Sequence, residues 1–150
     1  MERMSAVAVP VVGMHRSGTS MVARMLEAGG VGFGPSNELA GPNEDNPYGF
    51  WEHEGIRRVN EELLAKLGGD WRNPPCITEE GWRAAVTEEL DQRAVALLET
   101  VAVSAPAFGW KDPRTSLLLP FWLARCGTKV RPICCLRHPS SVAASLAKRN

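Results

Sequence analysis

From Gly13 to Ser20 the residues run Gly-Met-His-Arg-Ser-Gly-Thr-Ser, two glycines bracketing four residues with two hydroxyl side chains directly after. Small residues at such positions let successive backbone N–H groups turn inward around an anion, and a helix starting at the second glycine adds its positive dipole end. This is the chemistry of a phosphate cup. A nucleoside triphosphatase would place lysine directly after the second glycine, to reach the outer phosphates, with Ser or Thr next for magnesium. Here Thr19 takes the lysine position, and the cation, Arg16, stands two residues before Gly18. The pattern points away from ordinary ATP chemistry. His15 lies in the same loop and is assigned a backbone-supporting role, because Gly13 and Arg16 already account for its ligand-facing work.

The run His15-Arg16-Ser17-Gly18-Thr19-Ser20, after a valine-rich segment, resembles the 5'-phosphosulfate loop of sulfotransferases that use 3'-phosphoadenosine 5'-phosphosulfate (PAPS). Arg16 matches the basic residue of that family, and Ser17, Gly18, Thr19 and Ser20 match its phosphate cradle. The arginine form is similar to that of tyrosylprotein sulfotransferases and of many bacterial members. Arg137, with Ser145 eight residues later, matches the pair with which family members hold the donor's 3'-phosphate. An arginine fork and a serine hydroxyl on a facing turn suit phosphate oxygens. Lys111-Asp112-Pro113 is similar to the Lys-Asp-Pro segment of the tyrosylprotein enzymes and their bacterial relatives. That likeness implies that Lys111 assists at the transferring sulfuryl group, with Asp112 as an orienting partner. Arg114 reads equally as a surface cation and as an acceptor-binding group.

A base must take the proton of the acceptor hydroxyl. Tyr48-Gly49-Phe50-Trp51-Glu52-His53 resembles the Gly-aromatic-aromatic-Glu stretch of the bacterial relatives, which makes Glu52 the first choice and His53 the second. Glu52 would also suit a helix start through the dipole alone. Glu38 is a weaker candidate. Trp51 and Trp110 flank these positions and are expected in the wall of the acceptor pocket.

The elements that must position these residues alternate. Ala6 to Val12 reads as a buried parallel strand, with Pro10 as a discordant note. A helix carrying Met21, Val22, Met25 and Leu26 follows the loop and stops at Gly29-Gly30. Residues 31 to 51 read as a long loop. From Glu52 a helix carries Ile56, Val59, Leu63, Leu64 and Leu67 on one stripe, ending at Gly68-Gly69. A second loop holds Pro74-Pro75. Thr78 then caps one long helix carrying Trp82, Val86, Leu90, Leu97, Leu98 and Val101. Ala107 to Trp110 is a second strand, Thr115 caps a helix with Leu117, Leu118, Phe121 and Trp122, and Lys129 to Leu136 is a third strand containing Pro132. Ser140 caps a final helix. Strands alternating with helices imply an α/β fold with a parallel sheet flanked by helices. The resemblance implies a P-loop-like three-layer arrangement, of which residues 1–150 match the N-terminal portion of the sulfotransferase domain. Nothing in them matches the late glycine-rich basic loop of the family.

Composition limits the alternatives. At 150 residues, 44% hydrophobic and 23% charged, the chain has the material of one globular domain. Lys plus Arg and Asp plus Glu both number 17, so general affinity for nucleic acid is not expected. No run approaches the roughly 20 apolar residues that span a bilayer, and the expected setting is cytoplasmic, with no membrane partner. The four cysteines have neither zinc nor disulfide spacing, and Cys134-Cys135 read as small buried hydrophobes. The expected activity is transfer of a sulfuryl group from PAPS to a small-molecule, glycan or peptide hydroxyl. Adenosine 3',5'-bisphosphate is the expected product, and no metal is expected. The rival readings are a P-loop nucleotide kinase and a non-catalytic nucleotide-binding fragment.

Overall fold

The structure, a computed structural model, describes residues 6–42, 44, 46–103 and 105–148. The valine-rich segment forms β1 (Val7–Ala8) and β2 (Val11–Gly13), and it is the spine of the molecule. On one side β1 pairs in parallel with β3 (Ala107–Phe108), and a bridge from Val11 to Lys111 continues that pairing to the motif lysine. On the other side β1 pairs with β4 (Lys129–Val130) and β2 with β5 (Ile133–Cys135), again in parallel. Gly32 bridges Phe108 beyond β3, so the segment after the first helix touches the far edge.

The register accounts for both discordant prolines. Pairing Val7 with Lys129 and Val11 with Ile133 sets Pro10 opposite Pro132. Arg131 N and Ile133 N donate across this pairing to Ala8 O and Pro10 O at 2.8 and 2.9 Å. The N of Pro132 therefore faces away from β1 and β2 and costs the ladder nothing, and only Pro10 leaves one donor out of it. On the other side the chain continues unbroken, with Val9 N and Val11 N donating to Phe108 O and Trp110 O at 2.7 and 2.9 Å.

Among the described residues there are six α-helices: α1 (Thr19–Ala28), α2 (Glu54–Lys66), α3 (Glu79–Ala85), α4 (Glu88–Ala102), α5 (Thr115–Leu123) and α6 (Pro139–Ala147). Four expected boundaries are corrected, the first being α2, which starts at Glu54 and not at Glu52, behind a His53 cap. The single helix from Thr78 is two, because Val86 leaves helical geometry at ψ 91° and Thr87 caps a new helix, its side chain accepting from Leu90 N. Glu88, Glu89 and Asp91 then favour the N-terminal dipole of α4. The cap of α6 is His138, whose ring accepts from Ser140 N, and Pro139 takes the first helical position that its fixed φ suits. Thr115 is the first residue of α5, with Arg114 before it.

The alternation of strand side chains separates two hydrophobic clusters. Ala8, Phe108 and Trp110 join Ile56, Leu63, Leu98, Leu118 and Trp122, from α2, α4 and α5. Val11 and Cys135 face the opposite way, with Ala23 of α1 and Phe33. The fold is α/β, a small parallel sheet with helices packed against it. No helix among the described residues is long and apolar enough to cross a membrane.

Candidate functional site

The loop between β2 and α1 is shaped by three backbone positions. Gly13 has φ 147°, and a Cβ there would come within 2.5 Å of Cys135 O, so close contact with β5 requires glycine. Its N–H donates to Ser116 Oγ at 2.8 Å. Arg16 and Gly18 both adopt left-handed backbone, at φ 66° and 85°, which turns the chain tightly enough for Ser17 N to reach Met14 O at 3.1 Å. Gly18 gives α1 no side-chain cap, and its first turn carries no acid. Helix geometry leaves the N–H groups of Thr19, Ser20 and Met21 without a carbonyl partner within the helix. Uncapped donors beside a cation are the features of an anion cup.

Residues 31 to 51 are not irregular throughout. A 3-10 turn spans Ser36–Glu38, and a narrow antiparallel closure follows, with Ala40 N donating to Glu52 O at 2.8 Å and Phe50 N to Ala40 O at 3.2 Å. Trp51 takes φ 53° and anchors its indole N–H on Glu27 at 2.7 Å. Glu52, directly after, is carried inward. Its Oε1 accepts from Lys111 Nζ at 2.7 Å, with Glu52 8% and Lys111 1% exposed. Burial pushes the Glu52 carboxyl above the ordinary carboxylate range, opposed by the Lys111 charge. The same burial pulls Lys111 below the ordinary lysine range, opposed by Glu52.

Behind this pair lies a buried polar network. Asp112 accepts from Arg114 N and from the Arg114 guanidinium, both at 2.9 Å, and from Asn60 Nδ2 at 3.0 Å. Arg114 also lies 3.8 Å from Glu52 and 3.1 Å from Glu61. Its side chain is 10% exposed, so of the two readings left open by the sequence the surface cation does not hold.

One cleft of about 1040 Å³ gathers the motifs. It is lined by Arg16, Gly18, Thr19 and Ser20 from the loop, by Glu52 and Lys111, and by Arg137. Arg137 donates to Arg16 O at 2.8 Å, and Arg16 Nε donates to Ser145 Oγ at 2.8 Å. Ser145 thus meets the loop through the arginine side chain and does not itself line the cleft. Ser17 faces a smaller cavity of about 310 Å³ behind the loop.

His53 lies outside both cavities. Its Nδ1 caps α2 by accepting from Gly55 N at 3.2 Å, which places the ring proton on Nε2. Nε2 sits 2.8 Å from Glu38 without the alignment of a hydrogen bond. His53 is 2% exposed, and burial lowers its pKa. Glu38 is thereby directed at His53 and also stands outside the cleft.

The aromatic wall differs from expectation. Trp110 is 1% exposed and packs on Trp122, and Trp51 packs with the α1 cluster. The wall is built instead by Phe50 and by Trp71, whose ring lies 4.2 Å from that of His15 with Arg72 over it at 5.0 Å. Asp70 holds this turn by accepting from Arg72 N and Asn73 N at 2.7 and 2.8 Å. An aspartate two and three residues before those donors is a turn signal visible in Asp70-Trp71-Arg72-Asn73. Cys135 is buried as expected, but Cys134 is exposed. Comparison of the chain with protein-family models, with curated proteins and with solved structures finds no match.

Proposed function

We propose that the chain is a PAPS-dependent sulfotransferase of bacterial type, on a P-loop-like three-layer fold, that transfers a sulfuryl group to a hydroxyl acceptor. The observation that carries this reading is convergence: the Arg16 loop, the Glu52–Lys111 pair and Arg137 come from distant parts of the chain and line one cleft. The loop suits the donor's 5'-phosphate, since uncapped α1 donors and Arg16 face the same space.

When bound, the donor supplies an activated sulfuryl group on that phosphate. Glu52 takes the acceptor's proton as the acceptor oxygen forms the new bond to sulfur and the bond from sulfur to the 5'-phosphate oxygen breaks, so that adenosine 3',5'-bisphosphate leaves. A carboxylate raised by burial is a better base than a solvated one. Lys111 and Arg16 offset the charge left on the 5'-phosphate of adenosine 3',5'-bisphosphate, as preorganised cations do in phosphoryl transfer. Arg137 serves the 3'-phosphate from the rim, and Ser145 fixes the Arg16 guanidinium. A sulfuryl group carries less charge than a phosphoryl, so these cations replace magnesium in this reading.

Calorimetry with adenosine 3',5'-bisphosphate and with adenosine 5'-monophosphate tests it. Binding of the bisphosphate at least about tenfold tighter is expected, about 1.4 kcal/mol for the 3'-phosphate. Equal affinities, or a preference for magnesium ATP, would overturn it in favour of a nucleotide-binding or kinase reading.

A further inference from the structure

Asn60 sits on the apolar stripe of α2 and is fully buried. Every polar atom of its side chain is used. Nδ2 donates to Asp112 Oδ2 at 3.0 Å and to Thr115 Oγ1 at 3.1 Å, and Oδ1 accepts from Trp122 Nε1 at 2.8 Å. A buried amide without partners is costly, so a polar residue in a packed stripe is kept in place by the groups it serves.

What it serves reaches the cleft. Asp112, fully buried, is fixed on one oxygen by Asn60 and on the other by the backbone and guanidinium of Arg114. Arg114 then stands 3.8 Å from the oxygen of Glu52 that Lys111 does not hold. Four side chains therefore run in series from the core of α2 to the cleft. We propose that Asn60 is a positioning residue: through Asp112 it holds Arg114 against Glu52 and so fixes the carboxylate that faces the acceptor.

The catalytic part of this proposal rests on Glu52 acting as the base, whereas the positioning can be read without turnover. The charged groups facing Glu52 are Lys111, Asp112 and Arg114, and Arg114 is shared with Glu61. In Asn60→Ala, Asp112 loses its amide donor, Arg114 leaves its place, and Glu52 loses a cationic neighbour. The Glu52 carboxyl, followed by carbon-detected NMR titration in the protein without ligand, then titrates about one pH unit higher. The acid limb of the pH–rate profile moves with it.

A merely structural Asn60 would lower the unfolding midpoint and leave the Glu52 titration unmoved, and that result overturns the proposal. Should Asn60→Ala not fold, the exchange Asn60→Asp with Asp112→Asn decides. It keeps a donor–acceptor pair between the two positions and an acceptor for Arg114, so Glu52 titrates at or below its wild-type position; a rise overturns the proposal. A moved titration in a protein that transfers no sulfuryl group would sink the sulfotransferase reading and leave the positioning role standing.

Discussion

Lys111, 1% exposed, lies 2.7 Å from Glu52, and each charge of the pair offsets part of the other's cost of burial. Burial opposes both, raising the acid and lowering the amine. If Glu52 must be ionised and Lys111 charged, kcat/KM rises with pH as Glu52 loses its proton and falls as Lys111 loses its own. The acid limb therefore lies above the ordinary carboxylate range and the alkaline limb below the ordinary lysine range. Limbs at the positions of exposed glutamate and lysine would contradict this. Arg16→Ala should lower kcat about 100-fold or more with the fold retained, the scale of removing one charge-stabilising donor. Circular dichroism and steady-state rates on the same sample check it. Arg16, Glu52, Lys111 and Arg137 were all legible as residue types at motif spacing. Asn60 and Trp71 were not, because a polar residue in an apolar stripe and an aromatic in a loop acquire meaning only through what they face.

At the scale of elements, the order of strands and helices was legible from hydrophobic period and turn residues, and the interruptions were not. Pro10 and Pro132 each look wrong in a strand, and only the register shows them to be opposite one another. Val86 continues an apolar stripe, so the break before Thr87 is hidden by a side chain that suits either helix. The helix start at Glu52 was displaced to Glu54 because His53 supplies a ring acceptor for Gly55 N. That cap has a pH dependence. Burial lowers the folded-state pKa of His53, so the unfolded chain binds the proton more readily. The stability contribution is complete above the ordinary histidine value of 6.5 and declines as pH falls through it. Asn is a good cap without a titrating ring, so His53→Asn should lose less stability than wild type between about pH 8 and pH 5.5. Urea midpoints at the two pH values measure this, and equal losses would count against the cap.

Over the whole molecule, the cleft is built where three parallel strands end: the loop after β2, Lys111 after β3, and Arg137 after β5. Ligands of open parallel sheets bind at carboxyl strand ends. A ligand held by all three adds a further link between parts of the chain already joined by the sheet and by the hydrogen bond from Arg137 to Arg16 O, and it stabilises the folded state by mass action. Adenosine 3',5'-bisphosphate at about 100 times its Kd should add about 2.7 kcal/mol to unfolding. A thermal shift larger than that given by the monophosphate at equal concentration is the expected result, and identical shifts would argue that Arg137 meets no 3'-phosphate.

The hydrogen bonds that Arg16 makes with Arg137 and Ser145 span more than 120 positions of sequence. A ribosome makes residues 13–20 early and Ser145 near the end of this stretch. The loop therefore emerges long before Arg137 and Ser145 can meet it. During that interval the Arg16 guanidinium has no Ser145 to hold, and the two left-handed residues must keep their turn without the grip of Arg137. On the proposed reading, competence to hold a phosphorylated ligand is in this sense acquired late, on arrival of α6.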